Sequence, residues 1–196
     1  LVYLICSILY LNFNLVFLAT ISSLILIFYW ILMMFVPFSG FDAGTIDPGI
    51  NFAAWVDSFI VPGRLYMTTW DPEGFFSTIP AIVTCISGII TGEIIKYNSN
   101  KIINLIFLGS LLLTIGLVWD IIFPINKHIW TSSYVMFSSG IAMIILAISI
   151  FIIDHKSYDF KFIIAFGSNA ITAYVLHGIL WKLFQIKLID NMGIQE

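Results

Sequence analysis

The chain has 196 residues, of which 60% are hydrophobic, 16% are aromatic and 10% are charged, with a formal net charge of −3. Soluble domains carry about 25% charged residues, so this composition excludes an ordinary soluble protein and indicates a membrane protein. Eight Lys and Arg residues are too few to follow a phosphate backbone, and we expect no nucleic-acid partner. The two cysteines, Cys6 and Cys85, do not have the spacing of a disulfide or zinc framework, and we expect no metal.

Apolar runs in chain order predict an all-α fold, a polytopic transmembrane helix bundle. Such spans need roughly 20 residues each to cross a bilayer. The first run, 1–11, is predicted to be the end of a helix that begins upstream, so we expect the C-terminal part of a larger protein. Complete spans are predicted at 15–36, 77–95, 102–123, 131–153 and 162–186, which together make one transmembrane domain over 1–196.

A long polar stretch, 38–76, separates the first two complete spans and is predicted to be the one large extracytoplasmic loop. Within it, the sequence "DPGINFAAWVDSFI" predicts a short amphipathic helix, because apolar residues recur there at helical spacing. Asp47 suits the N-cap of this helix, and Pro48 suits its first position.

The distribution of charge predicts which side of the membrane this loop faces. The turns at 96–101 and 154–161 hold two lysines each, whereas the loop holds five acidic residues. Excess lysine in short loops marks the cytoplasmic side, so the loop is expected to face outward. All six tryptophans lie on the predicted outer side: Trp30, Trp55, Trp70, Trp119, Trp130 and Trp181.

The first polar motif, "TTWDPEGFFSTIPAIVT" at 68–84, places Asp71 and Glu73 directly before an apolar span. One interpretation is structural, because carboxylates are favoured near a helix N-terminus. The other is chemical: one carboxylate orients or deprotonates an amine or hydroxyl acceptor. In that interpretation the adjacent Trp70 packs against the apolar face of a sugar.

The second polar motif, "FPINKHIWTSSY" at 123–134, allows the same two interpretations. Pro124 ends one helix, and the Thr and Ser residues at 131–133 suit the cap of the next. In the chemical interpretation Lys127 stabilises a developing oxyanion or a phosphate, and Asn126 is a hydrogen-bond donor. Trp130, Ser132 and Ser133 are then further substrate contacts.

A third polar group lies inside the last predicted span. The sequence "FGSNAITAYVLHG" places Asn169, Ala173 and His177 on one helix face, which suits close helix packing. The alternative is that Asn169 lines a channel for an acyl donor.

The two motifs in this order, with "NFAAWVDSFIVPGRLY" before them, resemble the heparan-α-glucosaminide N-acetyltransferase family and its bacterial relatives, and the resemblance runs from about Leu1 to Gln185. It implies a membrane enzyme, here in a bacterial inner membrane, that moves an acetyl group from cytoplasmic acetyl-CoA to an amino sugar or glycan outside. It also implies that the family's proposed catalytic His lies in N-terminal helices upstream of Leu1. His128 is not taken as its substitute.

The resulting site hypothesis has two groups of residues. Asp71, Glu73 and Lys127 are the candidate catalytic residues, and the candidate substrate contacts are Trp70, Asn126, Trp130, Ser132, Ser133 and Asn169. Membrane lipid, the glycan acceptor and the upstream helices are the expected partners, and a homodimer is left open.

Two other functions fit the same composition. A transporter or flippase for a sugar-linked lipid would also need buried polar residues and an outer loop. Transporters commonly show repeats and interrupted helices, and the sequence predicts neither. A non-catalytic membrane subunit is the third interpretation.

Overall fold

The computed structural model describes residues 1–60, 74–155 and 161–192. Four helical segments in this part of the chain are long and apolar enough to cross a membrane: Leu15–Phe35, Thr78–Tyr97, Lys101–Asp120 and Ser132–Asp154. The protein is therefore an integral membrane protein, and the predicted all-α polytopic bundle is confirmed. The helices are α1 (Val2–Asn12), α2 (Leu15–Phe35), α3 (Phe52–Ile60), α4 (Thr78–Tyr97), α5 (Lys101–Asp120), α6 (Ser132–Ile150), α7 (Lys161–Ser168) and α8 (Ala170–Met192).

Polar side chains set several helix boundaries. Asn14 caps α2 by accepting a hydrogen bond from the N–H of Phe17 at 2.8 Å. Helix α5 ends at Asp120, earlier than the predicted 123, and the Asp120 carboxylate then accepts from the N–H of Ile125 at 2.6 Å. Helix α6 continues from Ile150 into a π-helical turn, Phe151–His155.

The short helix predicted in the long loop exists as α3, but the predicted cap is wrong. Residues around Pro48 form a hairpin of two short strands, β1 (Ile46–Asp47) and β2 (Ile50–Asn51). Gly49 adopts φ +77, a conformation that glycine reaches without strain and that fits a tight turn. Asn51 caps α3 instead of Asp47, because its side-chain oxygen accepts from the N–H of Ala54 at 2.9 Å.

An aromatic cluster joins α3 to one end of the bundle. Phe76 lies between Tyr29 of α2 and Phe52 of α3, with ring centroids 5.3 Å and 5.4 Å away. Phe38 and Phe123 complete the buried group, and both are less than a tenth exposed. Edge-to-face and stacked rings add about 1 kcal/mol per pair beyond the area that they bury.

Asp57 ties α3 to the chain that leads into α4. Its side chain is 2% exposed, and a carboxylate oxygen accepts from the N–H of Phe76 at 2.8 Å. A buried carboxylate is stable only when it is hydrogen-bonded or paired. The sequence analysis counts Asp57 only as one of five loop acids, and the structure makes it a buried anchor.

Glycine allows α5 and α6 to approach closely. A Cβ atom on Gly140 would lie 2.5 Å from the Leu113 nitrogen and 2.6 Å from the Gly109 carbonyl oxygen. A Cβ on Gly116 would lie 2.6 Å from the Phe137 nitrogen. Helices in lipid associate through such close packing, because burial from water contributes little there.

The described chain forms two compact units, Leu1–Phe151 and Ile152–Glu196. The second unit contains α7 and α8, which meet at Asn169. The Asn169 side chain donates to the Ala165 carbonyl at 2.9 Å, and its own carbonyl accepts from Ala173 at 3.0 Å. The span predicted at 162–186 is thus divided into α7 and α8 at the single residue Asn169.

Candidate functional site

The segment between α5 and α6 is a turn closed by its own polar groups. The N–H of Asn126 donates to Thr131 Oγ1 at 2.9 Å, and the N–H of Thr131 donates to the Asn126 carbonyl at 3.1 Å. The Asn126 side-chain oxygen accepts from the N–H of His128 at 2.9 Å. The Tyr29 hydroxyl donates to the Ile129 carbonyl at 2.6 Å, which fixes this turn to α2.

Trp130 leaves this turn in a strained conformation. Its φ is +52, in the left-handed region that bulky residues rarely adopt. Its indole N–H donates to Thr84 Oγ1 on α4 at 3.1 Å, and its ring packs edge-to-face on Tyr134 at 5.3 Å. Strained residues of this kind concentrate at functional sites, so the space beside Trp130 is a candidate functional site.

That space is an open cavity of 510 Å³ between α4 and α6, which we call the α4–α6 groove. It reaches from Thr84 and Trp130 at one end to Ile95 and Leu146 at the other. The helical rise from position 84 to position 95 makes it about 16 Å long, roughly half of a bilayer's hydrocarbon thickness. Hydroxyl-bearing residues line it: Thr84, Ser87, Thr91, Tyr134, Ser138 and Ser139.

Two glycines give this groove its width on the α4 side. A Cβ atom on Gly88 or Gly92 would meet no atom within 4 Å. Among the described residues, no helix therefore packs closely against these two glycines, in contrast to Gly140 on α6. Glycine in a helix interior lowers stability by about 1 kcal/mol relative to alanine. At Gly88 and Gly92 the absence of a side chain keeps the groove open.

Three of the six groove hydroxyls donate to their own helices. Ser87 donates to the Thr84 carbonyl at 2.7 Å, Thr91 to the Ser87 carbonyl at 2.7 Å, and Ser138 to the Tyr134 carbonyl at 2.7 Å. Among the described residues the hydroxyl hydrogens of Thr84 and Tyr134 have no acceptor. The groove therefore offers a ligand two hydroxyl donors near its Trp130 end and several oxygen acceptors along its length.

Ser132 and Ser133, predicted as substrate contacts, are both fully buried. The Ser132 hydroxyl donates to the Leu26 carbonyl at 2.7 Å, which joins α6 to α2. The Ser133 hydroxyl shares a hydrogen bond of 3.1 Å with Thr131. In this arrangement both serines support the start of α6.

The structure describes only one of the three candidate catalytic residues. Lys127 is exposed on the turn before Trp130, and it forms no ion pair with residues 1–60, 74–155 or 161–192. Asp71, Glu73 and the neighbouring Trp70 lie outside the described residues. Asn169 belongs to the second unit, where it is exposed at the break between α7 and α8.

The sequence analysis missed the residues that line the groove on α4. A periodic signal was present, because Thr84, Gly88 and Thr91 are small or hydroxylated residues at intervals of four and three. That spacing places them on one helix face. The same spacing is typical of helix packing in membranes, so the sequence alone does not separate a contact face from a groove.

Thr131 is expected to contribute strongly to the stability of this turn and of the start of α6. It is fully buried, caps α6 and accepts from Asn126, so Thr131→Ala is expected to lower the free energy of unfolding by about 2 kcal/mol. Thermal unfolding in detergent measures this change. Thr20→Ala is the control, because exposed Thr20 only bonds its own helix at Val16. Equal shifts for both variants would contradict the role of Thr131.

Comparisons with known proteins find relatives of this chain, whereas no family model matches it. It is 33% identical over 151 residues to heparan-alpha-glucosaminide N-acetyltransferase of Mus musculus, and 31% identical over 148 residues to that of Homo sapiens. Each match covers 67% of this chain. The chain is distantly related to these acetyltransferases. It spans only 22% of the length of either relative.

The relatives carry an N-acetyltransferase name, and such an activity requires an acyl donor. A groove with polar groups along half of the membrane thickness is a suitable place for an extended donor. Within the described part of the chain no group of three or more His, Cys, Asp or Glu side chains could hold a metal ion.

Proposed function

We propose that the complete protein is a membrane acyltransferase that uses cytoplasmic acetyl-CoA to acetylate an amino sugar or glycan on the opposite side. The observation that carries this proposal is the α4–α6 groove, in a chain distantly related to N-acetyltransferases. Hydroxyl groups within membrane helices are costly without hydrogen-bond partners, and a ligand in the groove would supply partners for Thr84 and Tyr134. We assign the groove to the pantetheine arm of the donor, whose amides would pair with its hydroxyls.

Holding the donor in a groove lets a transmembrane protein bring two distant reactants together. The amine nitrogen of the acceptor attacks the thioester carbonyl carbon, the C–S bond breaks, and an amide bond forms. The proton lost by the amine balances the thiolate, so that free CoA thiol leaves. Fixing both reactants in one site removes most of the entropy loss of a bimolecular step.

The residues at the Trp130 end are assigned roles in this reaction. Lys127 is on the turn next to Trp130, where its ammonium group would stabilise the developing oxyanion. Asp71 and Glu73 are assigned to the orientation and deprotonation of the acceptor, with Trp70 against the sugar ring. Asn126 would act mainly through the turn that it closes.

We also propose the membrane in which the protein lies, its orientation, and the place of its remaining catalytic residues. The protein is assigned to a bacterial inner membrane with the 38–76 loop facing outward. The rest of the catalytic site, including the family's His, is assigned to helices upstream of Leu1.

The test uses the full-length protein in proteoliposomes, labelled acetyl-CoA inside and glucosamine outside. Asp71→Asn, Glu73→Gln and Lys127→Met are each expected to lower acetylated product by about a hundredfold, as losses of oxyanion or base groups do. CoA affinity, measured by calorimetric titration, should stay unchanged. Asp42→Asn is the matched control in the same loop.

Other results would favour the other functions. An absence of CoA affinity in the full-length protein would refute the acyltransferase. Movement of the sugar without acetylation would indicate a transporter or flippase, and neither acetylation nor movement would favour a supporting subunit. Full activity in all three variants would show that these residues are not catalytic.

A further inference from the structure

A second cavity lies directly behind the α4–α6 groove. It has a volume of 190 Å³, is partly open and is lined by residues of α2, α4, α5 and α6, and we call it the serine cavity. It shares three lining residues with the groove: Ser87, Ser139 and Met143. These side chains, with the 3.0 Å contact between the Ser87 and Ser139 hydroxyls, lie between the groove and the serine cavity, so a group that passes from one to the other must displace them.

The hydroxyl groups of the serine cavity are not equivalent. Ser87 donates to the Thr84 carbonyl at 2.7 Å, so the 3.0 Å contact between Ser87 and Ser139 must use the hydrogen of Ser139. Ser23 donates to the Ala19 carbonyl at 3.0 Å. All three hydrogens are therefore already used.

Ser22 is the exception. Its side chain is only 9% exposed, and its hydroxyl has no hydrogen-bond partner among the described residues. A buried hydroxyl without a partner costs about 1–3 kcal/mol, a penalty that a ligand acceptor would remove. Among the four serine hydroxyls of the cavity, Ser22 therefore presents the one unused donor.

The rest of the lining is aliphatic and includes Leu26, Val83, Leu108, Val135 and Met136. A volume of 190 Å³ holds about six groups the size of a water molecule, at about 30 Å³ each. An acetyl group would leave much of it empty. The combination fits a short alkyl chain that carries one hydrogen-bond acceptor.

We infer that the serine cavity binds the acyl group of the donor, that Ser22 donates to its carbonyl oxygen, and that the cavity accepts acyl chains longer than acetyl. This inference rests on the proposed function, because the donor must first occupy the α4–α6 groove. It concerns where the donor rests before transfer, because the acyl carbonyl must move from Ser22 toward the Trp130 end to meet the acceptor and Lys127. It names the substrate class as short-chain acyl-CoA, with butyryl-CoA as the probe.

The test is calorimetric titration of the full-length protein with CoA, acetyl-CoA and butyryl-CoA. Wild type is expected to bind butyryl-CoA about tenfold more tightly than acetyl-CoA, since two more methylenes are buried. Ser22→Ala should weaken both acyl-CoAs by roughly fivefold and leave free CoA unchanged. Ser23→Ala is the matched control, because its hydrogen is already used.

Ser22→Leu extends the test by filling the cavity. It should abolish the preference for butyryl-CoA and keep the affinity for free CoA, which also shows that the variant is folded. Thr20→Leu, on the exposed face of the same helix, should change neither.

Two results would overturn the inference, and they differ in whether the proposed function is overturned as well. If CoA and acetyl-CoA bind but butyryl-CoA gains nothing and Ser22→Ala has no effect, the cavity is not an acyl site and the proposed function stands. If no CoA compound binds, both the proposed function and this inference fail.

Discussion

Gly140→Ala is expected to lower the free energy of unfolding by about 3 kcal/mol. The new Cβ atom would lie 2.5 Å from the Leu113 nitrogen and 2.6 Å from the Gly109 carbonyl oxygen. Both are backbone atoms, which cannot rotate away as a flexible side chain would. Helices α5 and α6 must then separate, and overpacking of this kind costs about 1–3 kcal/mol. Thermal unfolding in detergent should show a clearly lower midpoint.

Gly88→Ala is the matched control, because the same methyl group enters open space there. It should preserve stability or raise it by about 1 kcal/mol, as alanine favours the helix. A common response of both variants would mean that contact between α5 and α6 does not depend on glycine.

Gly88→Leu is expected to weaken acetyl-CoA binding strongly without unfolding the protein. Its side chain would enter the α4–α6 groove, where a Cβ atom meets nothing within 4 Å. We expect an affinity loss of roughly a hundredfold, which corresponds to about 2.7 kcal/mol. Acetylated product should fall in parallel, and Gly92→Leu should act in the same way.

Two controls separate obstruction from general damage. Gly88→Ala adds a methyl group too small to block the groove and should bind the donor normally. Gly167→Leu adds the same bulk at an open position of α7, outside the groove lining. Normal binding by Gly88→Leu would show that the donor does not occupy the groove.

The sequence predicts the helices well because hydrophobicity within one segment determines them. The run at 15–36 appears as α2, and the run at 77–95 as α4, within two residues. Capping is harder, since several side chains compete for it. Asp47 and Asn51 are both good caps, and the hairpin at Pro48 and Gly49 decides in favour of Asn51.

The groove and the serine cavity could not be predicted, because each depends on how separate helices align. Ser87 and Ser139 are 52 positions apart, yet their hydroxyls are 3.0 Å from each other. Ser22 resembles any other small residue of an apolar helix until its neighbours are known. The unused hydrogen that makes it a candidate donor is a property of the assembled bundle.

The hydrogen bond between Asp57 and Phe76 affects how far the length of the chain between them can vary. It joins residues 19 positions apart, and so fixes both ends of the intervening chain independently of its length. Doubling the length of a tethered segment costs only about 0.6 kcal/mol in closure entropy. Insertions between these two anchors would therefore leave α3 attached to the start of α4.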